Sequence, residues 1–275
     1  MNRRGFLYGV AGLVCAVAID ACASQTSKSQ PANTPAKNAA GLGPVSTVAP
    51  ATATTGSTTA TVPIGPAGVA GWAPGTPAVY VNHGPTMTGK VALTFHLGGD
   101  PKLVVRLLDL LHGHGVHSTL FAIGDWITAH PDITRRAVVD GHELGNHTKT
   151  HPDLLKLSAA HVRAEIQGGA DALEPFIGSI GKWFRPSGTD VPNQTILDEA
   201  GNVGYPVSVG YDIDSRDFTE PGSRAVIDKV NAAIHPGAIV SLHFGHSDTI
   251  GALPAILTHL DSVGLTTATV TDLLG

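Results

Sequence analysis

The 275-residue chain has only two cysteines, Cys15 and Cys22, and none after residue 22. Everything C-terminal of that point therefore lacks both a disulfide framework and a thiolate metal site. Charge is scarce in a second place. Residues 23–78 carry Lys28 and Lys37, no acidic side chain, and are mostly Ala, Thr, Ser, Pro and Gly. Such a composition buries too little apolar surface to offset the entropy of ordering it. A concentrated positive surface is missing too: residues 79–275 hold 13 basic and 21 acidic side chains, a formal charge of −8. A phosphate backbone requires the opposite balance, so no nucleic-acid partner is expected. The uncharged run Gly5 to Ile19 is 15 residues long, short of the roughly 20 that a spanning helix needs.

What is present at the N-terminus reads as an export signal over residues 1–22. The string NRRGFL places Arg3 and Arg4 before Phe6 and Leu7 and resembles a twin-arginine signal. IDAC, Ile19 to Cys22, resembles a bacterial lipoprotein box in which Cys22 becomes the lipidated N-terminus; ordinary cleavage after Ala23 is the rival. The expected location is the outer face of the cell membrane through a lipid anchor, or full secretion. Residues 23–78 then act as a tether with a root-mean-square span of about 40 Å if flexible. Residues 79–275 are long enough to bury one core, and all 14 histidines lie there.

Within that domain strand and helix patterns alternate. Val91–Phe95 is apolar and β-prone, and leucines recur at helical spacing from Pro101 to His114. Strands are expected near 118–123, 143–145, 182–184, 207–210, 238–242 and 267–270. Helices are expected over 131–140, 158–173, 192–200, 222–234 and 251–263. This alternation predicts an α/β fold, a distorted (β/α) barrel of about seven parallel strands with outer helices. His96, His147, Arg185, the Asp212–Asp217 stretch and His243 all fall just after strand candidates, where a barrel carries its chemistry.

The sharpest local pattern is GNHTKTH, whose His147 and His151 are four apart and so able to converge on one ion. With LTF (93–95), WFRPSG (183–188), YDIDSRDF (211–218) and SLH (241–243), it forms an ordered set from about Val91 to Leu274 that resembles the polysaccharide deacetylases of carbohydrate esterase family 4. That resemblance implies a divalent ion, usually zinc, held by two histidines and an aspartate, and hydrolysis of acetyl groups on glycans. It also implies roles: His243 as the acid, Asp217 orienting it with Asp214 as the fallback, and Arg185 beside the base. The backbone at Gly188 would contribute to an oxyanion site, although the family often has Tyr there. Phe218 stands where a Trp usually walls the acetyl pocket.

The first motif departs from the family. Its two aspartates, base and metal ligand, are replaced by His96 and Leu97. His96 can take the base role as a neutral imidazole, with Arg185 opposing its protonation. Two alternatives supply the missing ligand. Asp100 reaches back across Gly98 and Gly99, although Asp100-Pro101 is equally a helix start; or His96 joins His147 and His151 in a three-histidine site. Arg185 has its own alternative as a rim ion pair with Asp190.

The expected function is an exported, metal-dependent deacetylase of cell-envelope glycans such as peptidoglycan N-acetyl sugars. Its partners are the acetylated glycan and, through the anchor, the membrane. A catalytically silent glycan-binding barrel and a metal-dependent amidase or esterase for a small substrate are the other readings. Mass spectrometry of the mature N-terminus tests the anchor: a lipid-modified Cys22 is expected, and a peptide starting at unmodified Ser24 would remove it.

Overall fold

The computed structural model describes residues 72–275 and a short antiparallel pair, β1 (Ile64–Gly65) with β2 (Gly68–Val69). The export signal, Cys22 and most of the tether lie outside the described residues. No described helix is long and apolar enough to cross a membrane. Residues 75–78, assigned by composition to the tether, are fixed by backbone bonds from Gly75 to Gly201 and from Ala78 to Leu197.

From there the elements are β3 (Val79–Val81), β4 (Lys90–Leu97), α1 (Pro101–Gly113), β5 (Thr119–Ala122), α2 (Gly124–Ala129), α3 (Pro131–Val139) and β6 (Glu143–Asn146). They continue with α4 (Ala159–Ile177), α5 (Gln194–Val203), β7 (Val207–Val209), β8 (Ile213–Asp214), α6 (Ser223–Ala233), β9 (Ile239–His243), α7 (Ser247–Ser262), β10 (Thr266–Ala268) and α8 (Val270–Leu274). Single 3₁₀ turns form at Leu154–Lys156 and Asp217–Thr219. The main sheet runs β6-β5-β4-β9-β8, all parallel, with β10 on the first three residues of β4. Phe184 bridges Asn146 in β6 to Ser208 in β7, and β7 pairs with β3. The expected strand at 182–184 is thus reduced to Phe184, while β3 and β8 are too short to show a pattern in the sequence.

β4 organises the two cores by alternation. Val91, Leu93, Phe95 and Leu97 pack outward against Val104, Leu107, Leu108 and Leu111, the apolar stripe of α1. Each such fully buried side chain contributes about 1.5–3 kcal/mol. Ala92 faces inward, with Phe121, Trp183, Val207, Val209, Ile239 and the α8 residues Val270, Leu273 and Leu274. The base of the interior is held by Glu143, whose carboxylate accepts from Thr119 Oγ1 at 2.6 Å, Trp183 Nε1 at 3.0 Å and the Thr271 hydroxyl. Thr94 and His96 continue the inward face of β4 toward the opposite end.

His142, just before β6, is buried and accepts the Ser118 backbone N–H through Nδ1 at 3.2 Å. Burial pushes this imidazole down to about 4. The unfolded chain takes up the proton near 6.5 and the folded chain does not, so stability is complete above about pH 6.5 and falls as pH drops from there to about 4. His142→Asn keeps an acceptor for Ser118 without the titration. Denaturant unfolding at pH 7 and pH 4 should show the wild type losing up to about 3 kcal/mol more than the variant.

Candidate active site

The loop after β6 is set by Asn146. Its side-chain amide donates to Ile166 O at 2.8 Å and Tyr205 Oη at 3.0 Å, and its oxygen accepts the Thr148 N–H at 2.8 Å. α4 can approach because position 169 is glycine: a Cβ there would lie 2.2 Å from Asn146 Oδ1. The turn forces Thr148 and His151 into left-handed backbone, φ 68° and 63°. His147 is fully buried, and its Nδ1 lies 2.9 Å from Arg185 O. Only Nδ1–H can donate to a carbonyl, so the Nε2 lone pair is free, and that atom is buried without a partner.

His96 reaches the same place by sheet register. It stands opposite His243 in the β4–β9 ladder, and its ring centroid is 4.3 Å from those of both His147 and His243. His96 Nε2 lies 3.3 Å from Ser241 Oγ, leaving a buried Nδ1 without a partner. His151 completes the group, its ring 4.8 Å from that of His147. One nitrogen from each of His96, His147 and His151 lies within 4.8 Å of the others. Burial, then the neighbouring His147, His243 and Arg185, holds His96 well below the ordinary histidine range. Burial and His151 do the same for His147, and burial and His243 lower His151. Three neutral imidazoles, two of them (His96 and His147) with a buried, unused lone pair and the third (His151) open to the cavity, fit a divalent ion, which requires the deprotonated ligand.

Beside the cluster, His243 Nδ1 lies 2.7 Å from Asp217 Oδ1. Asp217 is fully buried and also accepts the His243 backbone N–H at 2.8 Å, the Thr249 hydroxyl at 2.6 Å and the Phe218 N–H at 2.9 Å. Burial alone would raise this carboxyl, but the donors outweigh it and hold it below the usual Asp range. The carboxylate fixes the tautomer of His243, with Nε2 left for chemistry.

Several sequence expectations are relocated. Asp100 is not in the cluster: it caps α1, accepting the Lys102 N–H at 2.9 Å, because the first turn of a helix has unsatisfied donors close at hand. Arg185 meets neither His96 nor Asp190. Its buried guanidinium donates to Thr94 Oγ1 at 2.9 Å, Val209 O at 3.1 Å and Gly210 O at 2.8 Å, and acts on His96 only through its charge. Asp214 binds the Arg216 N–H at 3.0 Å, leaving His243 to Asp217. Gly188 has φ 69°, and a Cβ there would lie 2.5 Å from Asp153 Cα, so no tyrosine fits this backbone.

A cavity of about 510 Å³ opens over His96, His151, Gly188, Asp214, Phe218 and His243. Asp190, Tyr211, Arg216 and His246 also line it. Of these, Tyr211 and Arg216 lie inside the fourth motif; His246 is three residues past the fifth and carried no signal of its own.

A polysaccharide deacetylase family model matches residues 83–208. A chitooligosaccharide deacetylase from Bradyrhizobium is 35% identical over 170 residues, 62% of this chain and 77% of that protein. A peptidoglycan-N-acetylglucosamine deacetylase from Listeria monocytogenes is 31% identical over 68% of this chain and 39% of its own length. Among solved structures, a family 4 pseudoenzyme from Bacillus anthracis superposes with a TM-score of 0.67 at 27% identity, covering 73% of this chain and 70% of that one. A mutant described as having restored enzymatic activity gives 0.68.

Metal analysis after dialysis separates the ligand sets. His96→Gln, His147→Ala and His151→Ala should each lose stoichiometric metal, whereas Asp100→Ala should keep it and lose about 1 kcal/mol of stability with its cap. Metal retained in His96→Gln with activity abolished would return His96 to the base role.

Proposed function

The chain belongs to the polysaccharide deacetylases of carbohydrate esterase family 4, and from that premise we propose that it is an exported, divalent-metal-dependent hydrolase that removes acetyl groups from N-acetylglucosamine units of cell-envelope glycans. One observation carries the reading: three neutral imidazoles converge beside a carboxylate-held fourth, and His96, His151 and His243 of these line one cavity. His96, His147 and His151 would hold the ion, and zinc suits an all-imidazole set. A divalent ion supplies carbonyl polarisation and a lowered water pKa.

The chain's own groups manage the proton. Water adds to the acetyl carbon, the bond from that carbon to the sugar nitrogen breaks, and the proton given up by the water ends on the amine. With His96 drawn into the cluster, His243 is the imidazole placed to take that proton and pass it on. Asp217 stabilises the intervening imidazolium. Phe218 stands at the cavity wall for the acetyl methyl group, and the Gly188 N–H serves the oxyanion. The envelope substrate is supported by the relatives that act on chitooligosaccharide and peptidoglycan, and by the N-terminal export pattern.

A second reading, a silent glycan-binding barrel, is favoured by the replacement of both first-motif carboxylates and by the likeness to a pseudoenzyme. Acetate release from tetra-N-acetylchitotetraose and from peptidoglycan strands decides between them. The wild type should release acetate, and His243→Ala should lower kcat by about 10²-fold or more. Stoichiometric metal and glycan binding with no acetate from either substrate would establish the silent reading.

A further inference from the structure

The segment after β9 brings a second imidazole to the cavity. His246 Nδ1 lies 2.8 Å from Glu220 Oε1, as His243 Nδ1 lies 2.7 Å from Asp217 Oδ1. The two carboxylates are three residues apart on one loop and the two imidazoles three apart on the next, so one seam carries two parallel pairs. The rings of His243 and His246 are 6.1 Å apart and perpendicular. They differ in depth: His243 is 19% exposed over a fully buried Asp217, whereas His246 and Glu220 are 29% and 44% exposed.

The pairing of the two side chains adds little to stability by itself. An exposed ion pair is weak, because solvent screens it and two mobile side chains must be ordered to make it. Against that, Glu220 takes a left-handed backbone, φ 49° and ψ 53°, which is strained for a non-glycine residue. His246 occupies the N-cap of α7 without a side-chain bond to the helix, at a position where Ser or Asp would bond the first turn. Both departures from the locally preferred conformation or residue fall on the two members of the pair. Ser247 Oγ, 3.3 Å from the other Glu220 oxygen, holds the carboxylate further.

The outer pair has a neighbour that suggests its ligand. Phe218, 42% exposed, lines the same cavity with its ring 5.0 Å from that of His243, and the Arg216 guanidinium stands 5.7 Å from the Phe218 ring. An exposed apolar ring beside oriented polar nitrogens complements a pyranose, which has apolar C–H faces and a hydroxyl rim.

We propose that His246 and Glu220 form a saccharide-positioning subsite, in which His246 Nε2 accepts a hydrogen bond from a hydroxyl of the sugar next to the acetylated unit and Glu220 fixes the tautomer that makes this lone pair available. The proposal rests on the glycan reading above and deepens it by assigning a residue that selects oligosaccharides over single sugars.

Calorimetry of the full chain with tetra-N-acetylchitotetraose tests it. His246→Ala should weaken Kd about tenfold and raise KM by the same factor, with kcat within about twofold. Glu220→Gln, which keeps the size but frees the tautomer, should weaken Kd about threefold. It is the deciding variant if His246→Ala loses its cooperative thermal transition. Equal Kd in the wild type and the folded variants overturns the subsite, as does failure of the wild type to bind at millimolar sugar. A fall in kcat at unchanged Kd also overturns it, since it would place His246 in proton transfer. Weakened binding in a wild-type background that releases no acetate upholds the subsite and sinks the hydrolase reading.

Discussion

A buried cation holds the centre of this barrel together. Arg185 is about 1% exposed, and among the described residues its guanidinium is met by two carbonyls and a hydroxyl instead of a carboxylate. It lies 4.0 Å from the centroid of the Phe121 ring and 5.3 Å from that of Tyr211. Burial lowers its pKa to about 9, which still leaves it charged at neutral pH. Its acceptors come from two parts of the sheet: Thr94, two residues before His96 on β4, and the consecutive carbonyls of Val209 and Gly210 at the end of β7. Its own carbonyl orients His147. The same residue therefore ties the strands together and fixes one imidazole of the cluster, and its charge helps keep His96 neutral.

Strain is concentrated at the same end. Among the described residues, the non-glycine residues with positive φ are Thr148, His151, Arg216 and Glu220. They occupy two loops, one carrying the paired histidines and the other flanking Asp217 and Phe218. A residue held this way survives only where its surroundings over-determine it. The Asn146 anchor does so for the first loop, and the four hydrogen bonds to Asp217 do so for the second.

The elements most legible in the sequence are those whose signal is local. The leucine spacing of α1 and the β-prone run of β4 needed no tertiary information, and the His147/His151 pair was visible as four-residue spacing. The Asp217–His243 pair came from motif order. What escaped depends on register or on competition between local and distant partners. Asp100 had two plausible uses, and the helix start, two residues away, took precedence over a more distant cluster. Nothing local indicates that His96 faces His243, because that follows from the pairing of β4 with β9. Arg185 lacks the Asp190 partner of its alternative reading because its guanidinium is drawn into the sheet interior, where carbonyls are the available acceptors. β3 and β8, three and two residues long, are too brief for periodicity to register.

The position of β4 in the sheet also governs when the domain can form. Its residues are synthesised early, yet its flank pairs with β9 and its first residues with β10, both near the far end of the domain. His96 and Ser241, neighbours at the site, are separated by 145 positions in the chain. Closing contacts of that span is slow, and until they form the core shared by β4 and α1 lacks the α7 residues Leu253, Ile256 and Leu260 that complete it. A nascent chain halted before β9 emerges would present one edge of its central strand and its unburied apolar faces to whatever is nearby. His96, His147 and His151 come from β4 and the turn after β6, whereas His243 arrives only with β9, so the fourth imidazole of the site is the last to be made.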